Sequence, residues 1–198
     1  VYKNGKVHFI RFENGGHTVA PLKEIDTCEE SRTGTTVTFK PDNTIFDSEI
    51  YDYETLKVRI RELAFLNKGL QLTLRDDRDE EDTTGEHFLY EGGISEYVKF
   101  INQGKTAVHE KVIHLEGEDS GVQFEVALQY NTTYNANIYS FVNNINTHDG
   151  GTHEEGVRRA LTRLINSYGR KSGLLKEKDE NLTNDDVKEG LTMIISCK

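Results

Sequence analysis

The sequence predicts an α+β fold, because strand patterns precede helix patterns within each half of the chain. Hydrophobic and polar residues alternate over much of 1–39 and again over 122–145, as in half-buried strands. Hydrophobic residues recur instead at intervals of three and four over 53–68 and 152–168, as in amphipathic helices. Of the 198 residues, 35% are hydrophobic, which is enough to bury a core. We therefore expect folded structure nearly throughout.

The N-terminal segment is predicted to form an antiparallel sheet. Val1 to Arg11 alternates around a turn signal at Asn4-Gly5, and Asn14-Gly15-Gly16 is a second turn signal. Thr36 to Phe39 alternates again and is expected to be a strand that ends before Pro41-Asp42.

The first helix is predicted from Tyr53 to Lys68, with Gly69 at its C-terminal cap. Strands are expected at Gln71 to Asp76 and at His87 to Tyr90. The acidic run Asp76 to Asp82 between them is expected to be a solvated loop.

The pair Gly92-Gly93 interrupts this pattern and predicts a domain boundary, which divides the chain into 1–92 and 93–198. Ile94 to Ile101 then has the spacing of a short helix. Another helix is expected to start at Thr183 or Asn184. Strands are predicted in this second part at Val122 to Tyr130, Asn137 to Ile145 and Met193 to Cys197.

A longer helix is predicted to begin at a capping box formed by Thr152 and Glu155. Its apolar stripe is expected to be buried, and Arg158 is expected to project away from the core without a partner. Two interpretations of the arginines on this helix stay open. They are solvated helix residues, with Arg159 paired to Glu155, or they contact phosphates. The stripe comprises Val157, Leu161, Leu164 and Tyr168, and the arginines are Arg158, Arg159 and Arg163.

Composition and charge exclude several classes of protein. The formal net charge of −10 rules out wrapping of nucleic acid over the whole surface, so any DNA contact must be local. Cys28 and Cys197 lie too far apart in the sequence to suggest a zinc site or a disulfide framework. No stretch approaches the ~20 apolar residues of a membrane span, and the N-terminus has no signal-peptide pattern. We expect a cytoplasmic protein without a membrane partner.

The segment from His148 to His153 contains metal-ligand residue types, but its spacing matches no zinc pattern. The pairs Gly92-Gly93 and Gly150-Gly151 lack the spacing of a phosphate-binding loop and are predicted to be turns. No nucleophile stands beside a recognisable partner. We therefore predict no metal site and no catalytic residue from local chemistry.

Several segments together resemble the ATPase subunits of bacterial type II DNA topoisomerases. The match follows the order of the family along essentially the whole chain, which makes it far more specific than any single motif. The segments are Thr33 to Asp42, Arg61 to Gly69, Tyr90 to Ile94, Glu125 to Asn131, Asp149 to Glu154 and Glu189 to Leu191.

The resemblance implies a fold for each part of the chain. Residues 1–92 resemble the second half of a GHKL-type ATP-binding domain, which is an α/β sandwich. Residues 93–198 resemble most of the transducer domain, which is like a ribosomal-protein domain with a left-handed βαβ crossover. This handedness departs from the usual rule for such connections.

The resemblance also implies roles for individual residues. Thr35 matches a threonine that helps to hold a water molecule at the adenine, and Val37 matches a residue that lines the adenine pocket. Arg158 matches an arginine that faces the DNA-sized cavity of the dimer, so we expect Arg158, Arg159 and Arg163 to face DNA. Lys3 stands where the family usually has arginine at the edge of the nucleotide pocket, and the change loses the planar fork.

The departures from the family are informative. The catalytic glutamate, the Mg²⁺-binding asparagine and the glycine-rich lid of the family lie upstream of the segment matched by this chain, and its Gln-Thr-Lys loop lies downstream. The resemblance thus implies ATP and Mg²⁺ as cofactors of a complete subunit. This chain by itself is expected neither to bind them tightly nor to hydrolyse ATP.

The implied partners are DNA, a DNA-cleaving subunit (gyrase A or ParC) and a second copy of the ATPase subunit, which dimerises with ATP. The segments give mixed signals between the gyrase B and topoisomerase IV branches and lean slightly to gyrase B. A rival hypothesis is an ATP-independent DNA- or protein-binding module of similar fold.

Overall fold

The computed structural model describes residues 1–79 and 84–198. Within them the chain divides into two compact units, Val1–Asp52 and Tyr53–Lys198. This division differs from the boundary at Gly92-Gly93, which was placed on the interrupted sequence pattern and on the family resemblance and stays a prediction.

The unit Val1–Asp52 is built on a three-stranded antiparallel sheet in the order β1-β2-β3. Both predicted turns are confirmed, because Asn4, Gly5, Asn14, Gly15 and Gly16 all have positive φ. The strands are β1 (Tyr2–Lys3), β2 (Lys6–Glu13) and β3 (His17–Thr27).

The strand predicted at Thr36 to Phe39 was wrong, since no strand is assigned to residues 35–40. Its alternation of Thr, Val and Phe favours a strand locally, but a strand also needs a hydrogen-bonded neighbour. In the described chain the only bridge near this segment joins Tyr2 to Gly34. Val37 and Phe39 are accordingly 77% and 70% exposed.

The unit Tyr53–Lys198 opens with a helix, a hairpin and a second helix. The first helix ends two residues before the predicted Lys68, and Gly69 follows it with φ +77°, as a C-terminal glycine requires. The second hairpin strand starts and ends earlier than predicted, and residues 80–82 of the acidic run lie outside the described residues. The elements are α1 (Tyr53–Leu66), β4 (Leu72–Asp76), β5 (Thr84–Phe88) and α2 (Gly93–Ile101).

A five-stranded sheet in the order β6-β7-β10-β8-β9 forms the rest of this unit. Its central strand, β10, runs antiparallel to β7 and parallel to β8. The connection from β8 to β10 passes through α3 and α4, so the predicted βαβ crossover is present and its left-handed sense stays a prediction. The elements are β6 (Ile113–Asp119), β7 (Val122–Tyr130), β8 (Asn137–Val142), β9 (Ile145–Asn146), α3 (Thr152–Lys171), α4 (Asn184–Lys188) and β10 (Leu191–Cys197).

Four of these strands differ from the sequence prediction, and one of them, β10, only by starting at Leu191 instead of Met193. β6 was not predicted. The single strand predicted over Asn137 to Ile145 is broken into β8 and β9 by Asn143 and Asn144, which both have positive φ and turn the chain back on itself. The predicted start at Thr183 is confirmed as the N-cap of α4.

The sheet is the middle layer of this unit, because side chains of β10 alternate between two hydrophobic clusters. Ile194 packs with Leu66 of α1 and Val98 of α2 on one face. Met193 and Ile195 lie in the cluster on the other face, against which Val157 and Leu161 of α3 pack. The stripe predicted for α3 was therefore only half right. Leu164 and Tyr168 are 66% and 67% exposed, because the contacts of this cluster with α3 end at Leu161.

A buried polar network lies within the first of these faces. The Asn102 amide donates to Gln129 Oε1 at 2.9 Å, and the Thr192 hydroxyl donates to Asn102 Oδ1 at 2.6 Å. Buried polar groups are tolerated when they are hydrogen-bonded to one another. The network therefore joins the end of α2 to β7 and β10.

Candidate functional site

The basic residues that the sequence singled out lie along α3, and the start of this helix is built differently from the prediction. Gly151 is the N-cap, no side chain caps the helix, and the Glu155 N–H donates to the Gly151 carbonyl at 3.0 Å. Thr152 is already inside the helix, so its hydroxyl cannot serve as the cap. The predicted capping box of Thr152 and Glu155 was therefore wrong.

The turn before α3 runs from Thr147 to Gly150, where the Gly150 N–H donates to the Thr147 carbonyl at 2.8 Å, so only the first glycine of the predicted pair belongs to it. Both glycines are required by their surroundings. Gly150 has φ +74°, and a Cβ there would lie 3.5 Å from Glu154 Oε2. A Cβ on Gly151 would lie 2.7 Å from His153 Cε1, which is closer than any ordinary contact. The pair thus leaves room for the side chains of His153 and Glu154 to fold back towards β8.

These side chains form a hydrogen-bonded network with β8. Ser140 Oγ donates to Glu154 Oε2 at 2.8 Å and lies 2.7 Å from Thr147 Oγ1, which in turn lies 3.2 Å from His153 Nε2. Ser140 is only 2% exposed. The network fixes the first turn of α3 against the sheet. Sequence reasoning missed it, because Ser140 and Glu154 are 14 positions apart and no local pattern connects them.

Arg158 is held by this network and does not project freely. Its Nη1 lies 3.5 Å from Glu154 Oε1, and its side chain is 34% exposed. The expectation of an arginine without a partner was therefore wrong. The ion pair spans four residues, which places both side chains on one face of the helix.

Arg159 and Arg163 lie on a more exposed surface of α3. Arg159 forms an ion pair with Glu155, as one of the two interpretations expected. Together with Arg170 they line a groove between α3 and residues 181–184. Arg170 itself donates to Asn181 Oδ1 at 2.7 Å and so holds that segment against the helix. The groove therefore has a basic wall in a chain of net charge −10.

The residues expected to line the nucleotide pocket lie in the unit Val1–Asp52. The Tyr2 N–H donates to the Gly34 carbonyl at 2.8 Å, and the Gly34 N–H donates back at 3.1 Å. The bridge is antiparallel, so Lys3 lies opposite Thr33 and Thr35 lies opposite Val1. Lys3 and Thr35 therefore stand on two joined segments but not side by side. Val37 lies two residues further on and is exposed.

One cluster of metal-ligand types occurs elsewhere in the chain, on β6 and β7. His114, Glu116 and Glu125 place one ligand atom each within 4.8 Å of one another, and His114 Nε2 lies 2.8 Å from Glu125 Oε1. Glu116 and Glu125 are directly opposite across the two strands. The group stands on an open surface and is not the 148–153 segment considered from the sequence, and we assign no metal to it.

No helix in the described parts of the chain is both long and apolar enough to cross a membrane.

The comparisons with known proteins agree with the fold and the motifs. The chain is 36% identical to the 43K ATPase domain of Thermus thermophilus gyrase B, crystallised with an aminocoumarin, with a TM-score of 0.82 over the whole chain and 53% of that structure. It has the same fold as the topoisomerase IV ATP-binding domain of Francisella tularensis, at 23% identity and a TM-score of 0.77 over 99% of this chain and 52% of that one. The likeness to the gyrase B structure indicates the class of type II topoisomerase ATPase subunits, and the likeness to the second structure shows the fold alone.

The branch within this class follows from the sequence comparisons. The family model described as DNA gyrase B matches residues 93–198. The DNA gyrase B protein of Halalkalibacterium halodurans is 52% identical over 199 aligned residues, which cover the whole of this chain and 30% of that protein. The chain belongs to the DNA gyrase B family. It spans about a third of the length of this relative.

Proposed function

We propose that this chain is part of the ATP-binding subunit of a DNA gyrase, which couples ATP binding and hydrolysis to DNA strand passage and supercoiling. The observation that carries the proposal is the match to gyrase B over the whole chain. The partners of the complete subunit are then DNA, the DNA-cleaving gyrase A and a second copy of the subunit. Its cofactors are ATP and Mg²⁺.

In this proposal residues 1–92 complete the wall of a nucleotide pocket. Lys3, Thr35 and Val37 belong to this wall, and the backbone bonds between Tyr2 and Gly34 join the two segments that carry them. The exposure of Val37 fits a residue that is covered by adenine and by the rest of an ATP-binding domain. The catalytic base and the Mg²⁺ ligand are supplied by other parts of the complete subunit.

Residues 93–198 then act as the transducer, and α3 presents its arginines to DNA. Guanidinium groups bind phosphates through charge and paired N–H donors, which suits the backbone of a passing duplex. Arg158 and Arg159 lie in one turn of α3 and Arg163 lies in the next, and the acidic character of the remaining chain confines DNA to this surface.

The test is Arg158→Gln in the complete subunit, assembled with its DNA-cleaving partner. We expect a lower ratio of DNA-stimulated to basal ATP turnover, together with slower supercoiling, because one phosphate contact is lost. Arg75→Gln, which removes an exposed arginine from β4, is the matched control and should leave the ratio unchanged. All assays need the same salt concentration, since salt screens phosphate contacts. Full stimulation and normal supercoiling by Arg158→Gln would rule out the DNA contact.

A further inference from the structure

Glu154 connects the proposed DNA contact to the central sheet, because its two carboxylate oxygens face different partners. Oε1 lies 3.5 Å from Arg158 Nη1, and Oε2 accepts the hydrogen bond from Ser140 Oγ at 2.8 Å. Ser140 is buried in β8, the strand that runs parallel beside β10. The Glu154 side chain is itself only 17% exposed, so the carboxylate is held in place from both sides.

The next carboxylate along the helix provides a contrast. Glu155 pairs with Arg159, but the two side chains are 56% and 72% exposed. Exposed pairs of this kind contribute little, since water and salt screen them. Glu155 carries the same charge as Glu154 one residue further on, and its backbone N–H bonds only within the helix start.

We propose that Glu154 is a positioning residue for the DNA contact. It holds the Arg158 guanidinium while no DNA is present and gives it up to a phosphate when a duplex arrives. This inference rests on the proposed function, in which Arg158 meets DNA. A phosphate is an acceptor of the same kind as a carboxylate, so the two compete for the same N–H donors.

The exchange also affects the sheet. Once the guanidinium has moved to a phosphate, Glu154 is a partly buried carboxylate held by Ser140 Oγ without its cation. The carboxylate then depends more on its remaining hydrogen-bond donor, because a charge that is largely removed from water needs partners within the protein. The hydrogen bond at Ser140 in β8, the strand beside β10, is therefore altered when DNA binds. In this way DNA binding at α3 affects the strands of the transducer.

Glu154→Gln should separate the two parts of this role. The carboxamide has the same size and still bonds to Ser140, but it does not compete with phosphate for the guanidinium. The DNA concentration that gives half-maximal stimulation should fall about threefold, the scale of one partly exposed ion pair. The stimulated-to-basal ratio at saturating DNA should nevertheless fall, because the charge that responds to the exchange is gone.

The experiment measures ATP turnover against DNA concentration for the complete subunit with its DNA-cleaving partner. It compares wild type, Glu154→Gln, Arg158→Gln and the double variant at one salt concentration. If Glu154 acts through Arg158, Glu154→Gln alters both quantities in wild type and neither in the Arg158→Gln background. Glu155→Gln is the matched control and should keep the wild-type ratio at saturating DNA.

The possible results separate the two proposals. Equal effects of Glu154→Gln in both backgrounds would overturn the positioning role, and so would wild-type behaviour of this variant while Arg158→Gln is impaired. Full stimulation of Arg158→Gln would remove the DNA contact itself and the positioning role with it. If Glu154→Gln does not fold, Ser140→Ala replaces it. That variant should lower the ratio at saturating DNA without changing the half-maximal concentration, and an unchanged ratio would overturn the inference.

Discussion

Gly190 is the residue that most clearly has to be glycine. It stands immediately before β10 with φ +70°, and a Cβ there would lie 2.4 Å from the Asn131 carbonyl oxygen and 2.8 Å from that of Thr133. Both neighbours are backbone atoms, which cannot rotate away. The Asn131 N–H also donates to the Gly190 carbonyl at 2.9 Å, so the two segments are fastened at this point.

Gly190→Ala should therefore destabilise the chain by roughly 3 kcal/mol, the sum of left-handed backbone strain and overpacking. Gly104→Ala is the matched control, because Gly104 has φ +77° but no heavy atom within 4 Å of its Cβ position. It should cost only about 1 kcal/mol. Urea unfolding followed by circular dichroism measures both. If both variants lost the same free energy of unfolding, the close approach of Gly190 to Asn131 would make no contribution to the destabilisation.

At the same scale, the arginines show which contacts a sequence can predict. The ion pair of Arg159 with Glu155 could be predicted from their spacing of four residues, and the structure contains it. Arg158 and Glu154 have the same spacing, yet the importance of their pair comes from Ser140, which the fold brings from β8. Only tertiary structure creates that third partner, so the sequence could place Arg158 on α3 but could not define its environment.

The helix starts are the clearest case at the scale of elements. The sequences Thr152-His-Glu-Glu155 and Thr183-Asn-Asp-Asp186 both have the pattern of a capping box. Only the second forms one, with the Asp186 N–H bonded to Thr183 Oγ1 at 3.2 Å and the Thr183 N–H to Asp186 Oδ2 at 2.7 Å. The first fails because Gly151 takes the cap position.

Thr183→Ala should therefore cost about 1 kcal/mol of stability, the usual effect of losing a side-chain cap. Thr152→Ala should be close to neutral, because Thr152 caps nothing and alanine is the better helix former. Thermal unfolding of the two variants under identical conditions provides the comparison. A larger loss of stability for Thr152→Ala than for Thr183→Ala would show that Thr152 does cap α3, and the assignment of Gly151 as the cap would be wrong.

The cap of α4 should also respond to pH. The backbone N–H and hydroxyl of Thr183, in that order, lower the pKa of Asp186 from its ordinary value. A lowered pKa in the folded state means that the carboxylate stabilises the fold above the unfolded pKa and that this contribution is lost as pH falls through the folded pKa. The destabilisation by Thr183→Ala is thus largest at neutral pH and shrinks in acid.

Strands illustrate what local patterns leave out. Val122 to Tyr130 was predicted with its correct ends, because it is an interior strand whose residues 126–129 are all buried. β6 was not predicted, since Ile113 and Leu115 are half-exposed at the sheet edge and alternate with polar residues. The segment Thr36 to Phe39 has the better local pattern but no strand is assigned to it. The presence of a pairing strand, β7 for β6, and the lack of one for 36–39 decided the two cases.

On the scale of the whole molecule, the core is unevenly distributed. Every buried hydrophobic residue in the described parts of the chain lies between Ala64 and Cys197. The sheet of Val1–Asp52 leaves its large hydrophobic side chains exposed, among them Leu22 at 62% and Ile25 at 53%. An isolated sheet of this kind gains little from burial and is marginally stable in water. The proposed nucleotide wall thus includes the part of the chain with the least hydrophobic burial.

ATP hydrolysis should be absent from the isolated chain. The polypeptide Val1–Lys198, purified by itself, should show no Mg²⁺-dependent ATP turnover above background. Phosphoryl transfer needs a positioned base, a metal and cations on the phosphates, and the family resemblance assigns these to segments outside this chain. In the proposed function this chain contributes only the adenine edge at Lys3, Thr35 and Val37, and none of these residues is a catalytic base or a metal ligand.

A coupled assay of phosphate release, run at the same protein concentration for the fragment and for the complete subunit, provides the measurement. The complete subunit must hydrolyse ATP in this assay for the comparison to count. Calorimetric titration of the fragment with a non-hydrolysable ATP analogue should likewise detect no tight binding, because an exposed wall without its opposite side cannot enclose a ligand. Turnover by the fragment that disappears on removal of Mg²⁺ would mean that the catalytic groups lie within these 198 residues, and the assignment of the chemistry to other segments would be wrong.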